Sequence, residues 1–420
     1  MNRFDQVSNL VRQAYAIALH DGPRMFAYRA ARFLPNKLIT ALINRRSLSR
    51  EEVQRLAEQR EAIWYIEEED PIEISQCYTG TGERLFDGYP MEFSPARPFV
   101  IEMEDGHIVG PNAVVFSEDH QVVIESIRSE EFDLDLLKRP DDLHVPPSVF
   151  AIFIRRLLNI YSYTAPYYEE DCVFPLISPD ASYYHWVVEY LPKLRLLEHY
   201  ERQTGRTPTV LVESQPRDFV RQSLHLAGVD PLRYREWTNV ERRVKRLVLP
   251  IHQLQGLKTR APHRSRYDPS RTGLEWVRTR MRSNISDGNT GGKERIYVSR
   301  QKVQSSRSRK VANYDALVEL LRDYGFTTYV LEELTFEEQV ELFADADIVM
   351  GPHGAGLVNM LFANDPLVIE LLPEYKKTPY FYYISDMFDF EYEPIVSSTT
   401  DGDLLVDIPD LRSRLNALGI

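Results

Sequence analysis

Cysteine is nearly absent: Cys77 and Cys172 are the two in 420 residues, 95 positions apart. Two such residues can neither frame a disulfide scaffold nor fill a zinc site, which points to a reducing cytoplasm. Lysine is scarce too, at 10 against 40 arginines. Positive charge is in deficit overall, and a net charge of −13 argues against a nucleic-acid binder. An acidic, lysine-poor surface fits a halophilic host, where salt screens self-repulsion; a GC-rich genome favours arginine equally. No run of 18 apolar residues occurs, so no stretch has the length of a membrane-spanning helix. The start lacks the apolar core and small-residue cleavage site of a signal peptide.

What is present is the make-up of a globular protein, with 43% hydrophobic and 11% aromatic residues. The length exceeds what one core serves, so two domains with extensions are expected. Residues 1–50 carry net +7, leaving −20 for the other 370. Within them "MFAYRAARFLPNKLITALINRR" sets Met25, Phe26, Phe33, Leu34 and Leu38 against Arg29, Arg32, Lys37, Arg45 and Arg46. That pattern suits peripheral docking on an anionic membrane, or a helix packed on the protein's own acidic body.

The pattern divides the chain into a basic amphipathic helical extension (1–60), an α/β domain with a β-rich opening (61–260), a linker (261–293), a second α/β domain (294–400) and a C-terminal tail helix (401–420). In the β-rich opening, "FVIEMEDGHIVGPNAVVFSEDHQVVIESI" holds three strand-like runs, with turns at Asp105-Gly106 and Ser117–His120. The segments 173–178, 182–203, 208–214, a helical stretch after Gln215 and 244–250 then read β-α-β-α-β, the sign of a parallel sheet. A second such series begins at "ERIYVSR" (294–300) and continues through "DIVMG" and "LVIELLP". Ligands of open α/β sheets bind beyond the carboxyl ends of the strands. Gly288–Lys293 fails the phosphate-loop spacing and precedes a strand instead of following one.

Four stretches carry candidate chemistry. In "DIVMGPHGAGLVNM", Gly351, Gly354, Ala355 and Gly356 surround His353 between an apolar strand and an apolar helix. Glycine permits positive φ and lets a ligand approach the amides of a helix N-terminus, where a diphosphate is favoured. The spacing is not that of a dinucleotide fingerprint, and no Ser or Cys stands there as a nucleophile. An anion cradle and a plain structural turn both remain. His353 has no partner at metal-ligand spacing.

In "SYYHWVVEYLPKL", His185 and Glu189 are four apart on one helical face, as a general base with its orienting carboxylate or as a surface pair. In "IYVSRQKVQSSRSRK", Arg300 follows a strand and Arg307 and Arg309 come soon after, placed to fork onto phosphate oxygens or to form a solvated loop. Glu370 lies inside an apolar strand and needs a partner or a ligand hydroxyl, for which a ribose diol is suited. The Asp-x-Asp pairs at 133/135, 345/347 and 401/403 do not end core strands, so no metal requirement is expected.

Together these stretches resemble glycosyltransferase family 61, the capsular-polysaccharide-biosynthesis type. Its His-Gly-Ala-Gly-Leu-x-Asn-x-x-Phe segment and later Glu stand here as His353, Gly354, Ala355, Gly356, Leu357, Asn359, Phe362 and Glu370. Its Tyr-x-x-x-Arg-type element, with a later Arg and Asn, is matched by "YVSR" at 297–300, Arg309 and Asn313, and its Tyr-His-Trp helix start by Tyr184, His185 and Trp186. Glu189 departs from the pattern, where Asp is more usual.

The resemblance covers about residues 100–375. It implies a GT-B-like fold, two Rossmann-like domains facing a cleft, the first on the acceptor side and the second binding the nucleotide sugar. It implies inverting transfer from a nucleotide-sugar donor, without metal or other cofactor, onto a glycan, lipid-linked or protein acceptor in cell-surface polysaccharide or glycoprotein assembly. On that reading the protein works in the cytoplasm, peripheral to the inner membrane face. Gly351, Gly354, Ala355, Gly356, Arg300, Arg309, Asn359 and Glu370 would bind the donor. His185 with Glu189, or alternatively His353, would be the base. A sugar-nucleotide epimerase and a non-catalytic glycan-binding or assembly subunit are the rival readings.

Overall fold

The computed structural model describes residues 46–123, 165–178, 182–238, 240–252, 270–285, 294–303, 309–375 and 377–420, with Ile43, Ser126, 152–154 and Arg156 besides. The basic stretch before residue 46 (Ile43 apart), Asp133, Asp135 and Arg307 lie outside the described residues. The chain forms two compact units. One comprises Met1–Ala62, Glu102–Val173 and Trp237–Leu247; the other comprises Ile63–Ile101, Phe174–Glu236 and Val248–Ile420.

In the first unit the described part of the expected extension is a strand, Ser47–Leu48, followed by a helix, Arg50–Gln59. Ser49 starts that helix by a reciprocal capping box with Glu52, which satisfies two amide donors at once. Ser47–Leu48 pairs in parallel with Val122–Val123, which neighbours Val114–Phe116, itself antiparallel to His107–Val109. Asp105-Gly106 is not the expected turn: the strand Phe99–Val109 runs through it, with Asp105 at positive φ. The chain reverses instead at Gly110–Ala113, where the Ala113 amide donates to the Gly110 carbonyl. Ile108, Val114, Phe116 and Val122 have no exposed surface and form the core there.

The second unit holds a six-stranded sheet in the order Phe326–Tyr329, Glu294–Val298, Ala346–Pro352, Leu367–Pro373, Glu391–Thr400, Asp403–Leu405. The first five are mutually parallel and the last pair antiparallel. Val349, Met350, Val368, Ile369, Leu371 and Leu372 are wholly buried, which is why these strands read as unbroken apolar runs. Counted along the chain, the parallel strands lie in the order 2-1-3-4-5. The order therefore reverses between Glu294–Val298 and Ala346–Pro352, and beyond the carboxyl ends of that pair an α/β sheet opens a crevice.

The same unit contains the parallel pair Thr209–Val212 and Tyr234–Glu236. Between these strands and the preceding Leu176 the expected single helix 182–203 is broken into three pieces. Tyr183–His185 is a helical turn, Trp186–Tyr190 a π-turn closed by the Leu191 amide on the Trp186 carbonyl, and Lys193–Thr204 an α-helix. Pro192 lacks an amide hydrogen, so the regular bonding cannot continue through it, and the turn before it widens. The stretch 261–293, expected as a linker, carries the helix Arg271–Arg282, whose Leu274, Val277 and Met281 are buried. Their helical spacing was masked in the sequence by the surrounding Arg, Ser and Gly. The tail holds the helix Ile408–Ala417.

Candidate active site

The glycine-rich turn and Arg300 meet at the reversal point of the six-stranded sheet. Gly351 and Pro352 still belong to their strand, and the His353 amide donates to the Leu371 carbonyl, so the chain stays anchored one residue further. None of Gly351, Gly354 and Gly356 has a left-handed φ; Gly354 is extended, at φ −176°. The requirement is close approach. A Cβ on Gly351 would lie 3.1 Å from the Val298 carbonyl, one on Gly356 2.8 Å from Leu331, and one on Gly354 2.0 Å from an Arg300 guanidinium nitrogen. The bare backbone of Gly354 is thus the surface on which Arg300 lies. The helix expected next is Ala355–Phe362, and it is of the 3₁₀ type.

Arg300 is pulled down to about 10, first by burial and then by the neighbouring charge of Arg309, against Glu332. It remains a cation at neutral pH. A cation held at this cost gains from a nearby anion more than a solvated one does. Arg309 sits in the left-handed region at φ 45°.

Two histidine–carboxylate pairs stand in the same unit. His185 Nδ1 is bonded to Glu189 Oε1, with side-chain exposures of 30% and 10%. With Nδ1–H directed at the carboxylate, Nε2 is the nitrogen left with a lone pair for a proton. His353 Nδ1 is bonded to Glu370 Oε1, its Nε2 pairs with Thr378 Oγ1 at 3.1 Å, and the Tyr392 hydroxyl donates to Glu370 Oε2. Glu370 has no exposed surface and His353 almost none.

The ribose contact expected of Glu370 is therefore not what this geometry provides: both carboxylate oxygens hold protein groups. As a base, His353 is buried with both ring nitrogens engaged, whereas His185 keeps part of its surface open.

Asn359 is wholly buried and ties the two parts of the site together. Its Oδ1 accepts from the Tyr183 hydroxyl at 2.6 Å, and its amide donates to Gln339 Oε1 at 2.8 Å. Tyr183 starts the helical turn that carries His185, so the polar triangle fixes that turn against the 3₁₀ helix. Asn313, by contrast, holds both backbone groups of Val406, a structural tether. Aromatic contacts complete the link. The Tyr184 ring lies 5.5 Å from that of His185 and 5.7 Å from that of Phe381, and Phe381 lies 5.3 Å from the His353 ring.

Sequence reasoning missed Tyr183, Gln339, Thr378 and Tyr392. The strand register held part of the signal, since Glu370 pairs with Gly351 and so brings its carboxylate beside the strand end that bears His353.

Among the described residues, no group of three or more His, Cys, Asp or Glu is placed to hold a metal ion. The crevice is thus that of an α/β protein with arginines at the sheet's reversal point and a partly open histidine–carboxylate pair in the same unit. Residues 183–369 match the model of the family Glycosyltransferase 61, the family that the motifs around His185, Arg300 and His353 resemble. Curated relatives include the EGF domain-specific O-linked N-acetylglucosamine transferases of Bos taurus, 34% identical over 90 residues, and Gallus gallus, 34% over 94. Those matches cover 20% and 21% of this chain, and 16% and 17% of the relatives. The chain spans well under a fifth of their length.

Proposed function

We propose that the protein is an inverting glycosyltransferase of GT-B type that moves a sugar from a nucleotide-sugar donor to an acceptor hydroxyl in cell-surface glycan or glycoprotein assembly. The observation that carries this reading is Arg300 laid on Gly354 at the reversal point of the parallel sheet. It supplies a cation where such sheets take up phosphate-bearing ligands. The match to the family and the partial likeness to N-acetylglucosamine transferases support the same reading.

His185 is the base. Its Nε2 takes the acceptor hydroxyl proton while Glu189 holds Nδ1–H and stabilises the imidazolium that forms. The acceptor oxygen bonds to the anomeric carbon as the bond from that carbon to the diphosphate breaks. The departing electron pair stays on the diphosphate, whose added charge Arg300 and Arg309 offset. One base and one displacement give inversion. Glu370 acts indirectly, by fixing His353 beneath the glycine turn.

The basic residues 1–50 suit docking at the cytoplasmic membrane face, and among the described residues no helix is long and apolar enough to cross a membrane. Release from anionic liposomes on deleting 1–50 is expected, and co-sedimentation of the truncated chain at low salt would contradict the docking.

The test of the function is a thermal-shift panel of nucleotide sugars, since a bound donor raises the melting temperature by linkage. It is followed by transfer assays with and without EDTA, and by NMR of the product's anomeric configuration. Donor epimerised without acceptor, or no donor binding at all, would overturn the reading.

A further inference from the structure

We propose that Tyr184 and Tyr380, beside His185, form the acceptor subsite, and that the acceptor they take is a neutral pyranose. This rests on the transferase reading above and narrows it from three acceptor classes to carbohydrate. The two rings lie 5.7 Å apart at 42°, and Tyr184 is 5.5 Å from the His185 ring. Both are held in place. Tyr184 follows Tyr183, whose hydroxyl is bonded to the buried Asn359; Tyr380 opens the helix Tyr380–Met387 two residues after Thr378, which is bonded to His353.

The surroundings of the pair are those of a recess. Burial drives the Tyr184 hydroxyl well above its ordinary range and raises that of Tyr380, with Glu189 adding to it in each case. Yet each residue retains part of its surface open to solvent. A side chain deep among protein atoms and still accessible lines a concavity.

The chemistry of such a recess selects the ligand. A pyranose presents C–H groups on one face, which pack on an aromatic ring, and hydroxyls at its rim, which bond to phenol oxygens. The Glu189 carboxylate alongside disfavours an anionic acceptor. An extended peptide would need backbone donors and acceptors in a row, and two tilted rings provide none.

The experiment is saturation-transfer NMR on the full chain. Probes are methyl β-glycosides of glucose, xylose and N-acetylglucosamine, with a Ser/Thr peptide in parallel; UDP binding is followed separately by calorimetry. Ring C–H protons of a glycoside should receive saturation from the protein. Glycoside affinity should fall roughly tenfold in Tyr380→Leu, which keeps apolar bulk but loses the flat face, and hold within about threefold in Tyr380→Phe. UDP affinity should be the same in all three proteins. Saturation of the peptide alone, no glycoside signal in the wild type, or equal glycoside affinity in Tyr380→Leu would overturn the proposal. Loss of UDP binding in the wild type would instead count against the transferase reading.

Discussion

His353 and Glu370 form a buried pair across the sheet's parallel strands, with side-chain exposures of 5% and 0%, and Tyr392 closes the carboxylate's other oxygen. Removing the carboxylate leaves two buried donors, an imidazole N–H and a phenol, with no acceptor. Glu370→Ala should therefore destabilise the protein by about 3 kcal/mol, the range found on breaking buried pairs. Glu370→Gln keeps one acceptor and should cost roughly half as much. Urea unfolding at neutral pH measures both. An Ala variant within about 0.5 kcal/mol of the wild type would remove this pair from the structure's supports.

The His185–Glu189 pair predicts a different pattern, a kinetic one. His185→Ala should lower the transfer rate by about 10²- to 10⁴-fold, the contribution of a positioned general base, while nucleotide affinity stays unchanged. Glu189→Gln should cost less, since the amide still accepts from Nδ1–H but no longer balances the imidazolium. Single-turnover transfer and calorimetry with the nucleoside diphosphate separate the two effects. If His185→Ala transfers at the wild-type rate, the proton goes elsewhere.

Much of this site was legible before any fold was known, and the reasons divide cleanly. The His185–Glu189 spacing is local, so a helical periodicity was enough to pair them. The parallel series from Glu294 to Pro373 was also readable, because strands buried on both faces are continuous apolar runs. Glu370 was recognised as needing a partner, but its partner is seventeen residues away on the next strand, a relation that only sheet register creates. For the glycines, positive φ was the expected reason, and the structure gives another. Room for Val298, Arg300 and Leu331 decides them, and no backbone angle does. The π-turn at Trp186–Tyr190 and the helix inside the expected linker lay beyond composition altogether.

The contact between Gly354 and Arg300 gives a test of the proposed anion site without touching a charge. In Gly354→Ala the new methyl would meet the guanidinium at 2.0 Å, so Arg300 must move. Nucleoside diphosphate affinity should fall by about tenfold, the scale of one charge-assisted hydrogen bond. Arg300→Lys should fall similarly, because a point charge cannot replace a planar fork. Melting curves without ligand control for misfolding. Unchanged affinity in both variants would place the diphosphate elsewhere.

The first unit carries a pH dependence of its own. His107 is pulled down to about 3 and His120 to about 4, in each case by burial first and then by the Arg156 charge. Arg156 itself is ion-paired with Glu241 at 2.7 Å, and it donates to Nδ1 of His120, a bond only a neutral imidazole accepts. An unfolded histidine titrates near 6.5. As pH falls below that value the unfolded chain takes up protons the folded chain refuses. The stabilisation is therefore complete above about 6.5 and is lost progressively toward pH 4 and 3, at roughly 1.4 kcal/mol per pH unit for each histidine. Carboxylates elsewhere add a slope of their own at lower pH, so the decisive quantity is a difference. Unfolding free energies of the wild type should drop between pH 7 and pH 5 by up to about 4 kcal/mol more than those of a His107→Gln/His120→Gln variant, a figure that solvent screening at the partly exposed His120 reduces. Parallel slopes for the two proteins would mean that these imidazoles titrate alike in both states, and the buried cluster would then have no part in acid sensitivity.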